Sequence, residues 1–173
     1  YMGNMPEITY SNIKGGWPGE GNIDKDPLFA DPNNGDYHLK SQAGRWNPKT
    51  QTWVKDDVTS PCIDAGNPGS FLENELLSIP DKPNDEVYNL RVNMGAYGGT
   101  NEASFAPYNW TFPADLTNDG IVNLADFAIF ANYFRRTGSE QPADLNRDGK
   151  IDIADFSWLT RDWLKETNQY ENK

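Results

Sequence analysis

The sequence predicts a mostly β first part followed by a small α-helical second part, and three observations predict it. Residues 1–107 are dense in glycine, proline, asparagine and aspartate, with short β-type runs between turns. A twelve-residue pattern then occurs twice, 29 residues apart, at Asp115–Asp126 and Asp144–Asp155. After each copy apolar residues fall at helical spacing: Leu124, Phe127, Phe130 and Phe134, then Ile153, Phe156, Leu159 and Trp163. The division this implies is 1–107 and 108–173.

Ile8 to Ile13 alternates like a strand and stops at Gly15-Gly16. The runs Pro27-Leu28-Phe29 and Tyr37-His38-Leu39 each follow a turn-rich segment and are too short for a helix. Period-2 meanders and solenoid coils are both compatible with such runs. Residues 45–54 predict a hairpin turning at Asn47-Pro48, with Trp46 and Trp53 on its arms. Trp17, Trp46 and Trp53 have two readings, packing against the β flank, which is favoured, and stacking on sugar rings. His38 reads as an ordinary strand residue. Cys62, the one cysteine, cannot form an internal disulfide and reads as a small core hydrophobe. The acidic turns Asp24/Asp26 and Asp31/Asp36 have two readings, ordinary turn formers, which is favoured, and a further calcium site.

The repeated pattern places oxygen-bearing side chains at positions 1, 3, 5, 9 and 12 and glycine at position 6. That is the layout of an EF-hand calcium loop, in which a hard cation takes six to eight oxygens from one tightly turned segment. Loop 1 offers Asp115, Thr117, Asp119, the Ile121 carbonyl, Asn123 and Asp126. Loop 2 offers Asp144, Asn146, Asp148, the Lys150 carbonyl, Asp152 and Asp155. Two Ca2+ ions are expected. Both loops close with aspartate where glutamate is usual, so the following helix must sit closer to the ion. Loop 2 has the larger number of carboxylates and is expected to bind more tightly. The two apolar stripes read as one shared core between antiparallel helices rather than as a binding groove. So small a core makes calcium part of the folding free energy. Chelation is expected to unfold the second part and leave the first.

The net charge of −11 excludes a general nucleic-acid binder, which needs a basic stripe. No apolar run is long enough to span a membrane. The chain opens at Tyr1 with no visible signal peptide, as expected of a piece of something longer. Low-affinity calcium loops are most useful outside the cell, so the expected location is extracellular, secreted or at the cell surface.

Two family resemblances add to this reading. The segments G-G-W-P-G-E-G-N-I-D-K-D-P-L-F (Gly15 to Phe29), D-Y-H-L (Asp36 to Leu39), S-P-C-I-D-A-G (Ser60 to Gly66) and N-M-G-A-Y-G-G (Asn93 to Gly99) resemble the last coils of secreted right-handed parallel β-helix proteins. These are similar in fold to pectate lyases. The resemblance implies terminal β-solenoid coils with an end open for stacking. It places no lyase catalytic set on this chain.

Residues 110–166 resemble a type I dockerin, because D-L-x-x-D-G-x-[VI]-[ND]-[LI]-A-D-F occurs in both halves. That resemblance implies a non-catalytic module binding a cohesin-like partner, with Trp110 clasped to Trp163 or Tyr170. Loop positions 10 and 11 depart from the cellulosomal pattern. They are Leu124-Ala125 and Ile153-Ala154 where a hydroxyl pair is usual. Docking onto another protein surface, the chain's own β part included, is then expected. The function classes weighed are assembly or anchoring through a protein partner or copies of itself, the tail of a polysaccharide lyase or glycoside hydrolase, and glycan binding.

Overall fold

A computed structural model describes residues 6–78 and 89–170; the expected open start at residues 1–5 lies outside them. In the first part, β1 (Phe29–Asp31) and β2 (Asp36–Leu39) pair antiparallel around a 3-10 turn at Pro32–Asn34. β3 (Arg45–Asn47) and β4 (Thr52–Val54) form the expected hairpin, with Trp46 opposite Trp53. Its turn is set locally, since the Asn47 side-chain oxygen accepts from the Lys49 and Thr50 N–H groups. The two indoles meet edge-on at 5.6 Å, and Trp53 tilts onto buried Phe105 at 4.7 Å. Packing against the β flank is thus what Trp53 does.

Among the described residues the named strands make two separate two-stranded antiparallel sheets. The run from Ile8 to Ile13 is not one of them. Tyr10 sits at φ 48, which breaks the alternation, and the run makes an isolated parallel bridge, Asn12 to Ile23. A few backbone bonds tie the segments, Tyr10 to Glu20, Ile13 to Ile23, Ser60 to Lys40, Gly66 to Val92 and Met94 to Cys62 among them, and the Lys40 to Leu28 bond extends the β1–β2 pair. Between these segments lies a core of Tyr10, Ile23, Leu39, Cys62, Ile63, Ala65 and Met94. Cys62 is buried there as expected, with the Asn12 amide 3.1 Å from its sulfur. His38 is also buried. Its Nδ1 lies 2.6 Å from Asp36, its Nε2 3.1 Å from Glu102, and its ring stacks on Tyr97, so it cross-links β2 to residues 97–102.

The second part carries α1 (Leu124–Tyr133) and α2 (Ile153–Arg161), each opened by a capping box. Asn123 caps the Ala125 N–H while Asp126 reaches back to the Asn123 N–H. Asp152 and Asp155 repeat this 29 residues on. The repeats exchange partners. After α1 the chain pairs with loop 2 (Arg135 N–H to the Ile151 carbonyl, Gly138 N–H to Gly149), and after α2 it pairs with loop 1 (Leu164 N–H to Val122, Thr167 N–H to Gly120). The two ends of the second part meet through backbone and amide, Asn168 to the Asn109 and Tyr108 carbonyls, rather than through a Trp110–Trp163 clasp; the Tyr170 side chain lies outside the described residues. Trp110 instead sits in the first part's core.

The helical stripes form only part of the shared core expected of them, through Phe130, Leu159 and the partly buried Phe156. Phe130 and Leu159 are buried, but Leu124 and Ile153 are 70% and 71% exposed, and Phe127, Phe134 and Trp163 are also open. The reason is that the loops fill the core themselves. Leu116, Val122, Leu145 and Ile151, at positions 2 and 8 of the repeats, join Phe112, Ala114 and Ala143 around Phe130 and Leu159. The first turns of both helices therefore stand outside it.

Two carboxyls are buried in the first part. Asp64 accepts one bond from the Leu90 N–H, and Glu75 accepts the Asn93 and Gly99 N–H groups at 2.8 Å on one oxygen. The other oxygen of each has no partner. Burial pushes both up to about 7. A carboxyl raised in this way penalises the folded chain progressively as pH climbs from the ordinary carboxylate range to about 7. Glu75→Gln should therefore melt above the parent at pH 8, by on the order of 2 kcal/mol, with the gap closing towards pH 4. Scanning calorimetry in EDTA checks this; a gap independent of pH contradicts it.

Candidate calcium centre

Each loop is folded around its first and last aspartates. In loop 1 the two oxygens of Asp115 accept the Asp119 and Gly120 N–H groups at 3.2 and 3.0 Å. In loop 2 Asp144 accepts those of Asp148 and Gly149 at 3.1 and 2.8 Å. Asp126 gathers the Thr117 N–H and hydroxyl, both at 3.0 Å, and the Asn123 N–H at 2.8 Å. Asp155 does the same with Leu145, Asn146 and Asp152. Asp119 and Asp148 turn back onto the position-7 N–H groups of Ile121 and Lys150 at 2.9 Å. The turn itself needs position 6 left-handed, with Gly120 at φ 93 and Gly149 at φ 84. Space is no obstacle at Gly149, where an added Cβ would meet nothing within 4 Å; the backbone angle alone selects glycine.

The residues fit a hard cation. Asp115, Asp126, Asp144 and Asp155 are all at most 1% exposed. Their hydrogen bonds come from backbone N–H groups and the Thr117 hydroxyl, not from lysine or arginine side chains. Buried carboxylates so arranged have no lysine or arginine bonded directly to their oxygens. Burial accordingly pushes Asp115 up to about 6, with Arg91 opposing and Asp126 adding to the shift, and it raises Asp126 and Asp155 as well. A bound divalent ion would supply positive charge at those oxygens and favour the ionised form. Among the described residues no three acidic, histidine or cysteine side chains make a chelating group by themselves. The set expected from sequence would add Thr117, Asn123 or Asn146 and a backbone carbonyl to these carboxylates.

All twelve residues singled out from the sequence lie in these two loops. Asn123 and Asp152 also serve as helix caps. Three residues that sequence reasoning missed hold the loops from outside. Asn118 and Arg147, position 4 of each repeat, and Arg91 from the first part bond across the two parts of the chain. Recurrence at position 4 was the available signal for the first two; Arg91 carried none.

α1 and α2 also present two adjoining apolar grooves. One, of about 420 Å³, is lined by Leu124, Phe127, Phe156, Leu159, Thr160 and Trp163. The other, of about 270 Å³, runs from Phe127 to Phe134 and Ile153.

With this geometry in hand, comparison with known proteins is informative. Residues 113–167 match the family model for the dockerin type I domain, and residues 8–66 match the family described as disaggregatase related. Among solved structures the chain is similar to a type II cohesin–dockerin domain from Bacteroides cellolosolvens. Identity is 34% over 34% of this chain and 92% of that one, with a TM-score of 0.31. A search of curated proteins found no match. No helix among the described residues is long and apolar enough to cross a membrane.

Removing a charged ligand should cost more than removing a neutral one. Asp148→Ala is expected to lower calcium affinity by roughly tenfold or more, and Thr117→Ala by less; calorimetric titration that finds equal losses contradicts the ranking. Asp115 must ionise to bind, so affinity should fall as pH drops below about 6. Calcium uptake at that pH should then release protons. The heat of binding in buffers of different ionisation enthalpy measures this.

Proposed function

Starting from a chain whose residues 113–167 match the dockerin type I domain, we propose a non-catalytic, extracellular, calcium-dependent assembly module whose partner is a cohesin-type domain. Two calcium ions, one in each loop, hold the α-helical part, residues 108–173, in the form that presents its helices. Residues 1–107 are the other domain. They read as the closing coils of a right-handed β-helix, a reading supported by the parallel Asn12–Ile23 bridge.

The observation that carries this proposal is the outward apolar face of α1 and α2. Leu124 and Ile153 occupy position 10 of their repeats and are the most exposed large apolar side chains of the chain's described residues. They flank grooves floored by Phe127 and Phe156, whose rings meet at 6.1 Å. No hydroxyl pair stands at positions 10 and 11, so recognition here rests on burying apolar surface rather than on hydrogen bonds. Copies of the same chain are the competing occupant.

The test is calcium-dependent binding to a panel of cohesin domains, with particle size followed in calcium and then EDTA. A one-to-one complex that EDTA dissolves is the expected result. Leu124→Asp combined with Ile153→Asp should weaken it by about a hundredfold or more, with circular dichroism unchanged. Large particles of the chain alone that fall apart in EDTA would replace the cohesin partner with self-association. Turnover of pectin or alginate by the isolated chain would overturn the non-catalytic reading.

A further inference from the structure

The two calcium loops turn one non-ligand position each towards the first part of the chain. Position 4 is left-handed in both, with Asn118 and Arg147 each at φ 57. Neither side chain is needed for chelation, because the donors are at positions 1, 3, 5, 7, 9 and 12. Asn118, almost fully buried, donates to the Gly21 and Ala65 carbonyls at 2.8 and 2.9 Å. Arg147 donates to the Pro68 and Leu90 carbonyls at 3.2 and 2.7 Å. The same role thus falls to symmetry-related residues with unlike side chains.

Arg91 makes the return grip. Its guanidinium is fully buried. Nε and Nη2 hold the Gly66 carbonyl at 3.0 and 2.5 Å, and Nη1 reaches the Asp115 carbonyl at 2.8 Å. Asp115 is the first residue of loop 1, the loop with the poorer ligand set. Around these contacts the two parts fit closely. Asn67 donates to the Glu140 carbonyl, the Tyr133 hydroxyl to Glu20, and a Cβ placed on Gly69 would collide with the Gln141 carbonyl.

We propose that the first part of the chain completes the calcium centre: Arg91, Asn118 and Arg147 are positioning residues that hold both loops in their ion-binding shape, so calcium affinity and the stability of the first part rise together. This rests on the calcium reading above. A contact made only when the loop has its binding shape raises affinity for the ion, and by reciprocity the ion strengthens the contact. Chelation then loosens the β part as well as the helices, contrary to the independent domains expected from sequence.

The experiment uses the intact chain. Hydrogen exchange is followed by mass spectrometry in calcium and in EDTA, over peptides containing Gly66, Leu90 and Met94, whose N–H groups bond within the first part. Calcium titrations of Asn118→Ala and Arg147→Ala accompany it. Calcium should slow exchange in those peptides about tenfold or more. Asn118→Ala should weaken the loop 1 site several-fold more than the loop 2 site, and Arg147→Ala should do the reverse. A parent chain that binds calcium while the first part exchanges alike in both conditions, and both variants bind like the parent, overturns this inference alone. A parent chain that takes up no calcium overturns the calcium reading and this inference with it.

Discussion

Four aspartates, the first and last of each loop, are the constraint on which the second part depends. Each is a buried acceptor that gathers the backbone N–H groups of two or three residues. Asp126 and Asp155 do this while reaching back to open a helix. The same atoms therefore set the loop turn and start the helix, and they are the atoms that the calcium reading assigns to the ion. Concentrating so much negative charge away from water is unfavourable without a cation, and the raised proton affinity of Asp115 is that conflict made visible. The small apolar core is organised around the loops rather than around the helices for the same reason. Residues at positions 2 and 8 are the ones the wrapped loop turns inward.

That arrangement gives each repeat two useful sides. Position 4 points into the chain's own β part, and position 10 points out to solvent. One is polar and satisfied by carbonyls, the other apolar and bare. A module of this kind can be fastened to its own chain without covering the surface left for a partner.

The repeat and its two turn–helix units were legible in the sequence, because the pattern fixes residue type and spacing within twelve positions and the same aspartates that start each loop and cap each helix recur 29 residues on. The hairpin at 45–54 was legible for a similar reason, since Asn47 sets its own turn. The helical stripes were legible only in part, since Phe130, Phe156 and Leu159 meet in a core while the rest stay open. Spacing shows that Leu124, Phe127 and Phe134 share a face, but not whether anything covers it, and here the core had already been filled from the loops. Arg91 was illegible because its partners are backbone carbonyls, which leave no trace in side-chain pattern. The run from Ile8 to Ile13 looked regular in composition, yet the left-handed Tyr10 breaks it in a way that hydropathy does not record.

Cys62 has one more implication. It is the chain's single thiol, 2% exposed, held by Asn12 and raised by burial above its ordinary range. A thiol in that condition reacts with reagents in solution only during the intervals when the surrounding segments part. Its rate of modification therefore counts openings of the β part. The chain carries a built-in clock for its own breathing, placed in the half that holds none of the expected calcium ligands.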